Sequence, residues 1–306
     1  MYARPGKSLA LFRKSRQTVR VIALAGLRFI IGPLMLYYSR LPRGSPQMSE
    51  FLTTCEKAAK AGGAVLQSMI GRFQVREKGR SDLVTEADLA SQEAIRRVLL
   101  DQFPDHDFVG EEDPGTDRDP TRYRWIVDPL DGTTNYVHGV PHYSVSVALE
   151  RGGELLAGCV YDPVLEESFT AAAGEGAQLN GRPIRTSGVQ QLGDALVAAS
   201  FPHAVTPDLP VIHEFVAVLP LCQALRRGGS AALNLAYLAA GRFDAFWAAD
   251  LYAWDAAAGV LLVREAGGVL TAPDGGPFDL WKPKLLGAST TELQQELADV
   301  LRRAVQ

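Results

Sequence analysis

Acidic residues gather where this chain passes from apolar stretches into turns. Trp125-Ile126-Val127-Asp128-Pro129-Leu130-Asp131-Gly132-Thr133-Thr134-Asn135 carries the densest chemistry. An apolar strand is expected to end at Asp128, because Pro129 cannot donate to a sheet ladder and forces a turn. Asp128, Asp131 and the Leu130 carbonyl then offer hard oxygen donors suited to Mg²⁺ or a similar cation. Gly132 lets the backbone approach a ligand, and Thr133 and Thr134 are suited to open a helix whose free N–H groups favour a phosphate. Acids recur in Gly110-Glu111-Glu112-Asp113, after apolar Phe108-Val109, and at Asp255 in Ala253-Trp254-Asp255-Ala256. Taken singly, each reads equally well as a turn or a helix cap. Gathered in one place, they would repel one another unless cations neutralised them. Spacing alone leaves both readings standing, a divalent-metal phosphate site and scattered caps.

Other metal chemistries have less support. The three cysteines (Cys55, Cys159, Cys222) form no Cys-x-x-Cys pair, and the five histidines show no His-x-x-x-His spacing. A disulfide framework and a thiolate zinc site are disfavoured, and a reducing, cytoplasmic compartment is expected. With 306 residues, 47% hydrophobic and 22% charged, the chain is neither disordered nor fibrous.

The elements that would position these residues read as follows. Helices are expected over 50–70 and 86–103, and a strand over 123–127. Apolar runs over 144–149, 155–161 and 168–173 suggest an antiparallel meander, followed by a tight turn at Asn180-Gly181. Strands and helices then alternate: strand 195–201, helices 209–219 and 230–240, strand 243–248, helix 254–266, strands 269–271 and 285–288, and a terminal helix. Residues 48–186 are expected to form an α+β metal-binding subdomain, and 187–306 an α/β subdomain.

Residues 1–47 differ from the rest. Nine basic residues precede the first acidic one, Glu50, leaving 22 basic against 35 acidic in the remainder, so the formal charge of -4 joins a basic arm to an acidic body. The apolar stretch 21–38 is interrupted by Arg28 and Pro33, which makes it a poor transmembrane span or secretory signal. Three readings stand: a membrane-surface segment, an acid-poor targeting peptide, or sequence upstream of a start at Met48, which follows the breaker Gly44-Ser45-Pro46. The acidic body argues against a nucleic-acid polymer as partner.

In order along the chain, Asp82-Leu83-Val84-Thr85-Glu86-Ala87-Asp88, Gly110-Glu111-Glu112, the stretch from Trp125 to Gly139, Trp254-Asp255-Ala256-Ala257-Ala258-Gly259 and Glu265-Ala266-Gly267-Gly268 resemble the motifs of the inositol monophosphatase family. That family sits among the Mg²⁺-dependent, lithium-sensitive phosphatases that include fructose-1,6-bisphosphatase. The resemblance runs from about Met48 to the C-terminus and implies a layered α/β/α/β/α sandwich, usually a homodimer. It implies that Glu111, Asp128 and the Leu130 carbonyl hold one Mg²⁺, that Asp128, Asp131 and Asp255 hold a second, and that a weaker third lies near Glu111, with Mn²⁺ as a substitute. Thr133 paired with Asp88 would help deprotonate the attacking water. Gly132 and Thr133 N–H groups would bind phosphate, and Gly229, Ser230 and Ala231 would line the substrate pocket. The implied activity is hydrolysis of a small phosphorylated polyol, sugar or related metabolite by a metal-activated water.

Two positions depart from the family pattern. Ala248 stands where relatives selective for inositol phosphates carry a Glu seven residues before the motif Asp, and Tyr252 where His is common. Loss of a hydroxyl-accepting carboxylate should weaken discrimination. Histidinol-phosphatase, 3′(2′),5′-bisphosphate nucleotidase and fructose-1,6-bisphosphatase activities are alternatives on the same fold, and a membrane-associated, non-catalytic scaffold is the alternative of another class. Lys78 reads as a solvated lysine, His138 as structural, and Trp254 as a core wedge rather than a stacking platform.

Overall fold

A computed structural model describes residues 44–79, 82–115, 119–202 and 204–306. The arm up to residue 43 and the side chain of Lys78 lie outside the described residues. Among the described residues no helix is long and apolar enough to cross a membrane.

Helix α1 (Pro46–Met69) starts earlier than its hydrophobic period suggests. The Ser45 hydroxyl accepts from the Met48 N–H at 3.3 Å, and Pro46 takes the first turn, where its fixed φ and missing N–H cost little. Gly44-Ser45-Pro46 is thus the helix's own start signal, not a break before it, and Met48 lies inside the helix with its side chain buried. A short hairpin follows, β1 (Val75–Gly79) and β2 (Asp82–Thr85), too polar to be read from periodicity. Thr85 and Asp88 cap each other to open α2 (Glu86–Gln102).

Next come β3 (Asp107–Gly110), β4 (Arg124–Asp131), the single-turn α3 (Thr133–Val137), β5 (Ser144–Arg151), β6 (Glu154–Asp162), β7 (Glu167–Ala172), β8 (Gly176–Leu179) and β9 (Arg182–Ile184). These strands form a seven-stranded sheet in chain order, parallel only between β3 and β4, and the expected Asn180-Gly181 turn joins β8 to β9. The rest of the chain alternates: β10 (Leu196–Ser200), α4 (Pro210–Val218), β11 (Ala224–Arg226), α5 (Ala231–Ala239), β12 (Ala245–Ala248), α6 (Ala253–Glu265), β13 (Val269–Thr271), β14 (Leu285–Ala288) and α7 (Thr291–Ala304). Its five strands are ordered β11-β10-β12-β14-β13.

Side-chain alternation sorts these elements into layers. Trp125 and Val127 of β4, with Val145, Val147 and Leu149 of β5, face α1 and α2, whereas Ile126 and Ala148 point to the opposite face. There they meet α5 and α6, which also receive Ala198, Phe246 and Leu285 from the five-stranded sheet. Val197, Trp247 and Leu286 turn outward beneath Val218 of α4 and Leu293 and Leu297 of α7. The fold is the α/β/α/β/α sandwich that the resemblance implies.

The middle layer must be thin enough for both sheets to close on it, which explains the Ala-rich start of α6. Gly259 sits against α5, where an added Cβ would lie 2.5 Å from Leu235 Cβ. Gly259→Val should therefore lower the unfolding free energy by about 1–3 kcal/mol. The urea midpoint reads this; an unchanged midpoint would mean that α5 and α6 tolerate a wider separation.

Candidate active site

The carboxylates are assembled by a defect in β4. Its pairing with β5 matches Asp128 to Ser146 and Asp131 to Ser144, so one extra residue is looped out between the two acids. The expectation that the chain leaves the sheet at Pro129 is corrected: the strand continues to Asp131 through a bulge. A bulge needs no ladder donor at the looped position, which is how proline is accommodated, and it re-aims the flanking side chains. The Pro129 carbonyl accepts from Ser91 Oγ at 2.9 Å, and the Leu130 N–H donates to Asp128 Oδ1 at 3.0 Å.

Asp131 is held from the far side by α5. Ser230 Oγ donates to its Oδ2 at 2.5 Å, and the Ala232 and Ala231 N–H groups donate at 2.7 and 3.2 Å. The carboxylate thus caps a helix that starts 100 residues later in the chain. Asp255 stands in the first turn of α6 and accepts the Tyr252 N–H at 2.8 Å. Glu111 follows β3, its own N–H bonded to the Val127 carbonyl at 3.1 Å, so the parallel β3–β4 pairing carries it to the end of β4.

Glu111, Asp128, Leu130, Asp131 and Asp255 all line one cavity of about 440 Å³, together with Gly132, Thr133, Gly229 and Ala231. Among the described residues that line it, Arg227 is the one basic side chain. Burial, then the charges of Glu111, Asp131 and Asp255, push the Asp128 carboxyl well above the usual carboxylate range. Burial and neighbouring Asp131 do the same to Asp255, while burial raises Asp131 against the pull of its three donors. An acid-rich cavity of this kind is compensated by protonation or by cations. The donor set fits a hard divalent cation, since it consists of carboxylates and a backbone carbonyl with no thiol or imidazole among them.

Asp88 divides its two oxygens between the α2 cap and Thr133. Oδ2 accepts the Thr85 N–H and hydroxyl at 2.8 and 2.6 Å, closing the α2 cap. Oδ1 accepts the Thr133 hydroxyl at 3.3 Å, which also reaches the Leu130 carbonyl at 3.1 Å. Burial raises the Asp88 carboxyl to about 6, with Glu112 adding to the shift and Thr85 opposing it. Gly132 turns the chain with φ 100°, and a Cβ there would meet the His142 carbonyl at 3.1 Å.

Ser230 is fully buried and spends its hydroxyl on Asp131, while its neighbours Gly229 and Ala231 form the wall. Sequence reasoning gave no role to Glu112, whose carboxylate lies with those of Asp88 and Glu111 within 4.8 Å of one another. It also missed Asn135, whose amide donates to the His142 and Gly228 carbonyls at 2.7 and 2.9 Å and ties α3 to the loop before α5. The signal for Asn135 was its place in the quoted motif, directly after the paired threonines. Trp254 does pack on the core as expected, but its ring also stacks on Tyr252, with centroids 4.8 Å apart and planes 12° from parallel.

Residues 47–306 match the inositol monophosphatase family. An inositol-1-monophosphatase of Rhizobium meliloti is 42% identical over 249 residues, covering 80% of this chain and 93% of its own. A Pseudomonas aeruginosa protein named Nus factor SuhB is 39% identical over 271 residues, 84% of this chain and 100% of its own. The solved inositol monophosphatase of Anabaena superimposes with a TM-score of 0.75 at 36% identity, covering 84% of this chain and 97% of that one.

The raised carboxyls set a sign for stability in the absence of metal. Asp88 binds its proton up to about pH 6 when folded but releases it near 3.8 when unfolded. The folded state therefore holds more protons between those values, and stability is lost as pH rises through them, by about 3 kcal/mol for Asp88 alone. Denaturation of chelator-treated protein should show lower stability at about pH 7.5 than at pH 5, recovered by adding Mg²⁺ at the higher pH. Equal or rising stability across that interval would contradict this account of the cavity.

Proposed function

The chain belongs to the inositol monophosphatase family and is a phosphatase, and from that premise we propose that it is a Mg²⁺-dependent phosphomonoesterase. Its substrates are small phosphorylated polyols, sugars or related metabolites. The observation that carries this reading is the gathering of Glu111, Asp128, Asp131 and Asp255 around one cavity beside the turn at Gly132 and Thr133. Glu111, Asp128 and the Leu130 carbonyl would hold one ion, and Asp128, Asp131 and Asp255 another. A third would lie near Glu111, where Glu112 and Asp88 add oxygens, and Mn²⁺ fits the same donors. Bound Mg²⁺ supplies a lowered water pKa, screening of the phosphate charge and stabilisation of the leaving alkoxide.

The chain's own groups supply the rest. Thr133 Oγ1, held between Asp88 Oδ1 and the Leu130 carbonyl, is placed to orient the attacking water and pass its proton to Asp88. A carboxyl at about 6 is mostly ionised at neutral pH yet basic enough to accept that proton. The Gly132 and Thr133 N–H groups face the phosphate oxygens as the charge on phosphorus shifts to the leaving group. No histidine is asked to act. Asn135, tying α3 to the Gly228-Gly229 turn, fixes the phosphate side of the site against the substrate side.

A homodimer in the cytoplasm, with no nucleic-acid polymer as partner, completes the reading. The buried free cysteines Cys55 and Cys159 favour a reducing compartment. The second reading, a binding protein without catalysis, has one observation in its favour, the Nus factor name carried by relatives.

Phosphate release from a broad panel of monoesters should require Mg²⁺ and be inhibited by lithium. Asp131→Asn should lose at least about 100-fold in kcat, because a ligand charge and an α5 cap are altered together. Asp88→Asn should lose about 10²–10⁴-fold and flatten the rise of kcat/KM near pH 6. Wild-type protein that releases phosphate from none of the esters, with metal supplied, would transfer the weight to the binding reading.

A further inference from the structure

The cavity lining is not acidic carboxylates alone. Tyr252, Phe201 and Arg227 also belong to it, together with Asp250. Tyr252 is 55% exposed, although one face of its ring is occupied by Trp254, which rests in turn on the apolar core. The other face is therefore bare and its orientation fixed, which is how an aromatic side chain serves as a platform for a planar ligand. Its position relative to the acids is also set. The Tyr252 N–H donates to Asp255 at 2.8 Å, so the ring stands within one side chain's reach of the carboxylate floor.

Asp250 adds a second element. It is exposed, holds a left-handed backbone with φ 65°, and has no hydrogen-bond or ion-pair partner among the described residues. An ionised carboxylate only accepts hydrogen bonds, so its complement is a donor, neutral or cationic. In the same lining the Arg227 guanidinium lies 5.0 Å from the Phe201 ring centroid, which adds a second flat face. A polyol has hydroxyls for Asp250 but no π-face for Tyr252. A planar ring carrying an N–H has both.

We infer that the alcohol part of the preferred phosphate ester carries a planar heteroaromatic ring, which stacks on the bare face of Tyr252 and donates an N–H to Asp250. This substrate class rests on the phosphatase reading and narrows it. The ring chemistry is shared by imidazole alcohols and by nucleosides, which the experiment separates.

The full chain with Mg²⁺ is assayed for phosphate release from histidinol phosphate, adenosine 3′-monophosphate, inositol 1-phosphate and glycerol 2-phosphate. The expected result is a kcat/KM for at least one ring-bearing ester about tenfold or more above both polyol esters, the better ring identifying the source. The ratio of ring to polyol kcat/KM should fall about tenfold in Tyr252→Ala, mainly through KM, and recover in Tyr252→Phe, which keeps the platform. Asp250→Asn, a residue that tolerates the left-handed backbone, should lower the same ratio. A wild-type preference for either polyol ester overturns the inference, as does a parallel loss on all four esters in Tyr252→Ala. Release from the polyol esters in those cases leaves the phosphatase reading intact, whereas no release from any ester removes both.

Discussion

Like charges that must share a buried cavity govern this structure. Glu111, Asp128, Asp131 and Asp255 converge on it, and each shifted carboxyl is driven upward first by loss of water and then, for Asp128 and Asp255, by its neighbours. A buried ion costs several kcal/mol unless donors or opposite charge compensate it. The fold answers with helix starts. α3, α5 and α6 begin with residues that line the cavity, bringing N–H groups with no partner inside their own helix and the positive ends of their dipoles. Asp131 shows how far this goes, with two N–H groups and a hydroxyl of α5 on one carboxylate. Charge-assisted bonds are worth about 1.5–3 kcal/mol each, and here they oppose the upward shift of Asp131 without cancelling it. The remainder is what a divalent cation would supply.

The layers follow from that requirement. For helix starts to reach the end of β4, a helix layer must lie against the seven-stranded sheet on each side: α2 on one, α5 and α6 on the other. Alternation along β4 serves both layers, with Trp125 and Val127 facing one and Ile126 the other. The same strand then switches from packing to chemistry within a single bulge. Small residues in α6, Gly259 above all, keep the middle layer close enough for Ser230 to touch Asp131 and for Asp255 to share its cavity.

Much of this was legible because the signals were local. The positions of β13 and β14 follow from short apolar runs between breakers, and α5 and α6 end close to Gly241 and Gly267. The acidic motifs, though dispersed in sequence, do line one cavity. What escaped depended on partners distant in sequence. Pro129 stays in the sheet because β5 tolerates a bulge opposite it, which no property of Pro129 announces. The start of α1 was hidden because Ser45 and Pro46 read as a breaker until a helix is seen to follow them. Asn135 carried no assigned role, and its role is visible only once the Gly228 carbonyl is beside it.

The division of labour within the site separates positions that can vary from those that cannot. Asp131 and Asp255 each complete a helix start as well as line the cavity, and Asp88 completes another while holding Thr133, so altering any of them disturbs fold and site together. The β12–α6 connection is different. Asp250 and the Tyr252 ring contribute no hydrogen bond to the framework among the described residues; only the Tyr252 N–H does, and any residue but proline has one. Side chains there can change without moving an acid. Ala248, buried at the end of β12, shows the same freedom from the other direction, since an alanine packs where a carboxylate would need a donor. On the proposed function, discrimination among leaving groups falls to a loop that the carboxylate framework does not depend on, and that loop here is aromatic where it meets the cavity.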